Sequence, residues 1–212
     1  MVNGTSSGPS KVMIVRHGEK LGDPSSDDES SGKHLSVQGS ARAAFLPSLF
    51  VPTPPPSLEC KLAAGASSFT ASYEGKDLPG SASRFPTPAF IFATQESKHS
   101  LRPIETITPT SVALGLTINS QYSNATKDIG KLANDILTKS DYAGKVILIC
   151  WHHGTIDALA TALKGTGAQK WVGTVFDRLW LLDYTEGASP PIQQFGQMLL
   201  FTDEKSVPAK PW

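Results

Sequence analysis

Apolar positions along this chain gather into short unbroken runs and into stretches with helical spacing, and the two kinds alternate. Lys11-Val-Met-Ile-Val15 is a β-branched run that stops at Arg16-His17-Gly18, the pattern of a buried strand ending in a loop. Ser36 then caps a predicted helix over Val37–Leu49, where Ala41, Ala44 and Phe45 share a face while Gly39 and Pro47 weaken it. Ala89-Phe-Ile-Phe-Ala93 predicts a second buried strand. Pro103 suits the first turn of a helix carrying Ile104, Ile107 and Leu114 to Gly115. A weaker strand is expected around Thr117–Tyr122. Ile129, Leu132, Ala133, Ile136 and Leu137 recur at helical spacing, and Lys145-Val-Ile-Leu-Ile-Cys150 is the plainest buried strand. Thr155–Leu163 predicts a further helix. Phe176–Tyr184 and Phe195–Phe201 predict two closing strands, joined through Gly187 and Pro190-Pro191 as a hairpin. Strand and helix in alternation imply an α/β sandwich on a largely parallel sheet.

Between Val51 and Pro88 prolines, glycines and serines dominate and no period holds, so residues 51–88 read as an insertion, a candidate lid or rim, rather than a second core. The remaining pattern fits one domain over residues 1–212, preceded by a polar, flexible start at residues 1–10. The length and the 39% hydrophobic content suffice for one core.

Charge narrows the partners. Lysine plus arginine and aspartate plus glutamate number 19 each, so no overall field holds nucleic acid, and any anion affinity must be local. The start lacks the apolar core of a signal peptide, and no run approaches membrane-spanning length. A soluble, cytoplasmic protein without membrane or nucleic-acid partners is expected. Cys150 lies inside an apolar run, where a buried thiol is the ordinary reading, and Cys60 is the other cysteine. Trp151, Trp171 and Trp180 read as core or pocket wall, since no basic stripe accompanies them. His34 and His99 read as surface residues.

In open α/β sheets sites form beyond the carboxyl ends of the strands. Three predicted strands end in chemistry: the first in Arg16-His17-Gly18-Glu19-Lys20, the second leading to Thr94 and Arg102, and the best in Trp151-His152-His153-Gly154. An imidazole nitrogen can attack phosphorus, while guanidinium forks and a second imidazolium bind the equatorial oxygens. Such a set requires no metal and no cofactor. Zinc ligation by His152 and His153 with His17 or Asp157 is the competing chemistry, and adjacent residues of a regular strand seldom hold one ion together.

Arg-His-Gly after an apolar strand resembles the signature of the histidine-phosphatase superfamily, the phosphoglycerate-mutase-like fold. Leu35-Ser36 with Gly39 and Arg42-Ala43, Ser100-Leu-Arg102-Pro-Ile-Glu-Thr106, and His153-Gly154 after Val146–Cys150 resemble three further family segments in order. The resemblance implies a three-layer α/β/α sandwich around a mostly parallel sheet. It also implies a phosphoric monoester hydrolase in which His17 is the nucleophile, Arg16 and Arg102 bind phosphate, and His153 stabilises the transferring group. Gly18, Glu19 and His152 are expected to contact substrate, a small phosphorylated molecule or phosphate. Gly18 would let the backbone approach the phosphate.

The pattern departs from the family in two places. Where the mutase-like branch carries an acidic glutamate, Asn119–Gly130 contains Asp128 and no glutamate, leaving Glu19, His152 and Asp157 as candidate general acids. Where mutases carry an asparagine after the signature, this chain reads Lys20-Leu-Gly-Asp-Pro24, which favours hydrolysis. A non-catalytic phosphate-ligand binder and a phosphoglycerate-type mutase are the alternatives. Neighbouring residues on a strand face opposite ways, so His152 and His153 compete for the phosphate, with the following glycine favouring His153. Oligomeric state and natural substrate stay open.

Overall fold

A computed structural model of the chain describes residues 8–20, 32–51 and 83–204. The polar loop Asp23–Gly32, apart from its last residue, Cys60 and most of the 51–88 insertion lie outside these residues.

Six strands form one mixed sheet in the order β3-β2-β4-β1-β5-β6. Strand β1 (Lys11–Arg16) is buried from Val12 onward. It pairs in parallel with β4 (Val146–Trp151), from Lys11 opposite Val146 to Arg16 opposite Trp151. On the far side of β4 lies β2 (Phe90–Thr94), and beyond it β3 (Ile118–Tyr122), both parallel to their neighbours. Strand β5 (Arg178–Asp183) runs antiparallel to β1, and β6 (Ile192–Gly196) antiparallel to β5, so β5 alone opposes the common direction.

Both faces are covered, which is why β1, β2 and β4 read as unbroken apolar runs rather than alternating ones. Helices α1 (Val37–Phe45) and α2 (Arg102–Leu114) lie on the face built from Met13, Val15, Ile91, Leu148 and Cys150. The opposite face, with Val12, Ile14, Phe92, Ile147 and Ile149, takes α3 (Thr126–Thr138) and α4 (Ile156–Ala162). The three-layer α/β/α expectation holds. Trp151, Trp171 and Trp180 are buried in this second core, as expected, and Cys150 is a buried free thiol. Among the described residues no helix is long and apolar enough to cross a membrane.

Two boundaries differ from the sequence expectation. Ser36 does cap α1, its Oγ accepting from Gly39 N at 3.1 Å, but α1 stops at Phe45 and Leu46–Leu49 continues as a tighter 3-10 turn. Pro47 lacks the amide hydrogen that the α-helical ladder needs there. The last strand begins at Ile192 and ends at Gly196, earlier than the predicted Phe195–Phe201. The carbonyls of Gly196 and Gln197 accept from Arg84, and Gln197 N donates to Asp177 O at 2.8 Å as the last bond of the pairing with β5. The insertion's tail also contributes to the core: Phe85 is buried against Phe50 and Phe195.

Candidate active site

The adjacency of β1 and β4 decides what meets at the carboxyl edge of the sheet. Since Arg16 stands opposite Trp151, the next residues, His17 and His152, leave the sheet side by side, and His17 N donates to Trp151 O at 3.1 Å. Their rings meet edge to face with centroids 5.2 Å apart. His17 is 2% exposed, and its Nδ1 lies 2.7 Å from Gly18 O. A carbonyl oxygen only accepts, so Nδ1 carries the proton and Nε2 keeps its lone pair.

His153 opens a 3-10 turn, and its Nε2 sits 3.5 Å from where a β-carbon on Gly173 would stand, in the loop whose carbonyls hold Arg16. The ring that meets His17 edge to face is that of His152.

Arg16 is buried and held by the loop before β5. Its Nη1 donates to Gly173 O and to Val175 O, the latter at 3.1 Å, while its Cζ lies 3.5 Å from the centroid of the Phe176 ring. Phe176 in turn packs edge-on to His17, with ring centroids 6.3 Å apart. Arg102 begins α2, and its Nη1 reaches His99 O at 3.4 Å. Both guanidinium charges act on the histidines. Burial, then the neighbouring His152, Arg102 and Arg16, hold the His17 pKa well below the usual imidazole range. Burial and the charges of Arg102, His153 and Arg16 push His152 down to about 4. Both rings are therefore neutral near pH 7, with the charges of Arg16 and Arg102 acting on them.

Gly18 and Glu19 serve the scaffold. Gly18 N donates to Thr106 Oγ1 at 2.8 Å, and Thr106 Oγ1 donates to Arg102 O at 2.7 Å, so one hydroxyl joins the His17 loop to the first turn of α2. A β-carbon on Gly18 would stand 2.9 Å from Gly39 O. The space that glycine leaves there is filled by α1, not by ligand. Glu19 turns to Arg42, whose Nη2 donates to Glu19 Oε1 at 2.7 Å and whose Nε donates to both carboxylate oxygens at 3.1 Å. Arg42 also binds Asp203 through Nη1 and Nη2, at 3.1 and 2.8 Å. Burial alone would lower the Arg42 pKa, but its bonds to Glu19 and Asp203 raise it above the ordinary value. Asp157 lies in the first turn of α4, and its carbonyl accepts from Thr161.

No protein-family model and no curated protein sequence matches the chain. Two of the solved structures to which the chain is similar are these. The candidate phosphohistidine phosphatase SixA from Agrobacterium tumefaciens is 16% identical, with 82% of this chain and 92% of that one covered at a TM-score of 0.39. Phosphoglycerate mutase from Bacillus anthracis strain Sterne is 10% identical, with 88% and 92% covered at a TM-score of 0.47. At this level of likeness the roles of individual residues follow from the geometry of this chain alone.

That geometry brings together His17, His152, Arg16 and Arg102, places His153 by Gly173 in the loop that holds Arg16, and pairs Glu19 with Arg42. Phe176, Thr106 and Arg42 are the parts that sequence reasoning did not single out for the site. Phe176 gives no signal beyond an aromatic residue at a strand start, whereas Thr106 and Arg42 stood inside recognised segments without a role. His34, expected as a plain surface residue, pairs with Glu105 at 2.5 Å, and Leu35 N donates to the other oxygen of that carboxylate at 2.9 Å. Among the described residues no group of three His, Cys, Asp or Glu side chains converges as a metal site. A neutral imidazole with its Nε2 lone pair, beside a second imidazole and within the field of two guanidinium groups, can attack an electrophile that carries negative charge.

Proposed function

We propose that the chain is a metal-independent phosphomonoesterase that works through a phosphohistidine on His17. The observation that carries this reading is the buried, neutral His17 and His152 pair, with Nδ1 of His17 tied to Gly18 O and two arginine charges acting on both rings. A phosphoryl dianion is complementary to those two charges.

In the first step the Nε2 lone pair of His17 forms the N–P bond as the ester P–O bond breaks. Arg16 and Arg102 balance the charge on the equatorial oxygens. The arriving anion raises the proton affinity of His152, which takes up a proton and delivers it to the leaving oxygen. In the second step neutral His152 accepts a proton from water, whose oxygen attacks phosphorus. The N–P bond breaks, its electron pair returns to Nε2, and inorganic phosphate leaves. In this reading His152 takes the part that the sequence favoured for His153, and Glu19 is no general acid, because its carboxylate is held by Arg42.

The test is hydrolysis of p-nitrophenyl phosphate from acidic to neutral pH with excess chelator, comparing the unmodified chain, His17→Ala and His152→Ala, together with acid-labile labelling of the protein. Chelator-resistant turnover and label, both lost in a folded His17→Ala variant, support the reading. Turnover retained in that variant refutes it. The occupied Glu19 gives a second reading its one support, a phosphate-ligand binder without a carboxylic acid catalyst. Phosphate binding with no label at His17 would favour it.

A further inference from the structure

A cleft of about 720 Å³, bounded by Glu19, Val37, Phe176 and the segment at Thr202, adjoins the His17 site through Phe176. It is far larger than a phosphate requires and lies in the size range of pockets for drug-sized molecules. Phe176 belongs to both places: its ring takes the Arg16 guanidinium and packs on His17, and it also lines the cleft.

The charges of the cleft are already matched. Of the cations among its described lining residues, Arg42 is bound to Glu19 and Asp203, and Arg178 to Asp177 and Glu204, leaving Lys20 as the third. Four carboxylates therefore face three cations, and both guanidinium groups already hold carboxylates that would compete with a second anionic group. The rest of the lining is uncharged, with Val37, Val175 and Phe176 set among Ser36, Gln38 and two threonines, and its surface is more apolar than polar and open to water. Val37 lines the cleft while 87% exposed, and Phe201, next to the lining residue Thr202, is 94% exposed.

We infer that this cleft receives the leaving group of the substrate, and that this group is uncharged and largely apolar, an aromatic or similarly bulky alcohol rather than an acid or a second phosphate. The inference rests on the proposed phosphatase reading for the position of the phosphoryl group. The anionic end of the ligand lies under Arg16 and Arg102, and the apolar body passes Phe176 toward Val37. Burial of apolar area supplies the affinity there, and the matched carboxylates repel an added negative charge.

Binding of non-hydrolysable phosphonates tests the cleft separately from catalysis. Dissociation constants are measured calorimetrically for phenylphosphonate, 2-naphthylphosphonate and 4-carboxyphenylphosphonate. The naphthyl compound is expected to bind about tenfold more tightly than the phenyl one, the worth of burying a second ring. The carboxyphenyl compound is expected to bind about tenfold more weakly than the phenyl one, or worse. Val37→Lys should shrink the naphthyl preference and improve the carboxylate. Val112→Lys, on the exposed side of α2 and outside the cleft lining, should leave both ratios as they were. Equal affinities for the three ligands, a preference for the carboxylate, or ratios unmoved by Val37→Lys would overturn the inference. The labelling experiment on His17 reports independently on the reaction, so a failed cleft and a failed nucleophile give different results.

Discussion

Acid should weaken this fold through His152, and phosphate should restore it. The His152 pKa is pushed down to about 4 from an ordinary 6.5, chiefly by burial and then by Arg102, His153 and Arg16. Between those values the unfolded chain takes up a proton at this residue and the folded chain does not, so stability falls as pH drops through 6.5 toward 4. A shift of this size corresponds to about 3 kcal/mol once pH 4 is reached. His17, also depressed, acts in the same direction. The assay is urea unfolding followed by tryptophan fluorescence at pH 7, 6, 5 and 4.5, for the unmodified chain and for His152→Gln. Three tryptophans, Trp151, Trp171 and Trp180, are buried and report on the core. Other groups titrate in both proteins, so the informative quantity is the difference in slope, expected to reach about 2 to 3 kcal/mol by pH 4.5. Inorganic phosphate should offset the loss in the unmodified chain more strongly at pH 5 than at pH 7, because an anion under Arg16 and Arg102 raises the proton affinity of both rings. Parallel stability curves for the two proteins over this range would refute the burial and charge argument.

Two further substitutions probe the scaffold. In Gly39→Ala the new β-carbon would stand 2.2 Å from Glu19 O and 2.8 Å from Glu19 N, both backbone atoms, so α1 or the His17 loop must move; a loss of about 3 kcal/mol in urea unfolding is expected, together with a fall in kcat/KM. Arg42→Met leaves the buried Glu19 and Asp203 carboxylates without their guanidinium, and unfolding should become easier by about 3 to 5 kcal/mol at pH 7, whereas a change under 1 kcal/mol would show the pair to be dispensable.

The fold was legible wherever burial on both faces left an unbroken run, as in β1, β2 and β4. It was less legible at the sheet's edge. The last strand packs one residue pair, Phe195 and Gly196, into the protein, so its apolar signal is short, and from Gly196 onward the carbonyls turn to Arg84. The site residues at strand ends could be found because a histidine or arginine just after an apolar run has no packing reason to be there. What the sequence could not supply was orientation. Alternation along a strand makes His152 and His153 face apart, but which one faces His17 depends on the register of β4 against β1 and on the 3-10 turn that begins at His153. Likewise the partner of Glu19 is Arg42 on another element, and no local pattern distinguishes a carboxylate awaiting substrate from one already paired.

The way each arginine is held separates the two halves of the proposed site. Arg16 is fixed by the carbonyls of Gly173 and Val175 and by the face of Phe176, and Arg102 leans on the carbonyl of His99. Carbonyl dipoles and an aromatic face orient a guanidinium, and the charges of both groups act on His17 and His152. Arg42 and Arg178 are held instead by carboxylates, which orient them equally well but neutralise them. In the proposed reading the phosphoryl group lies by Arg16 and Arg102, and the cleft begins at Glu19 and Phe176. A ligand with one charged end and one uncharged end satisfies both halves at once, whereas a ligand charged at both ends gains at His17 and loses in the cleft. In the proposed reading, selectivity then follows from the arginines of the cleft, Arg42 and Arg178, being already held by carboxylates.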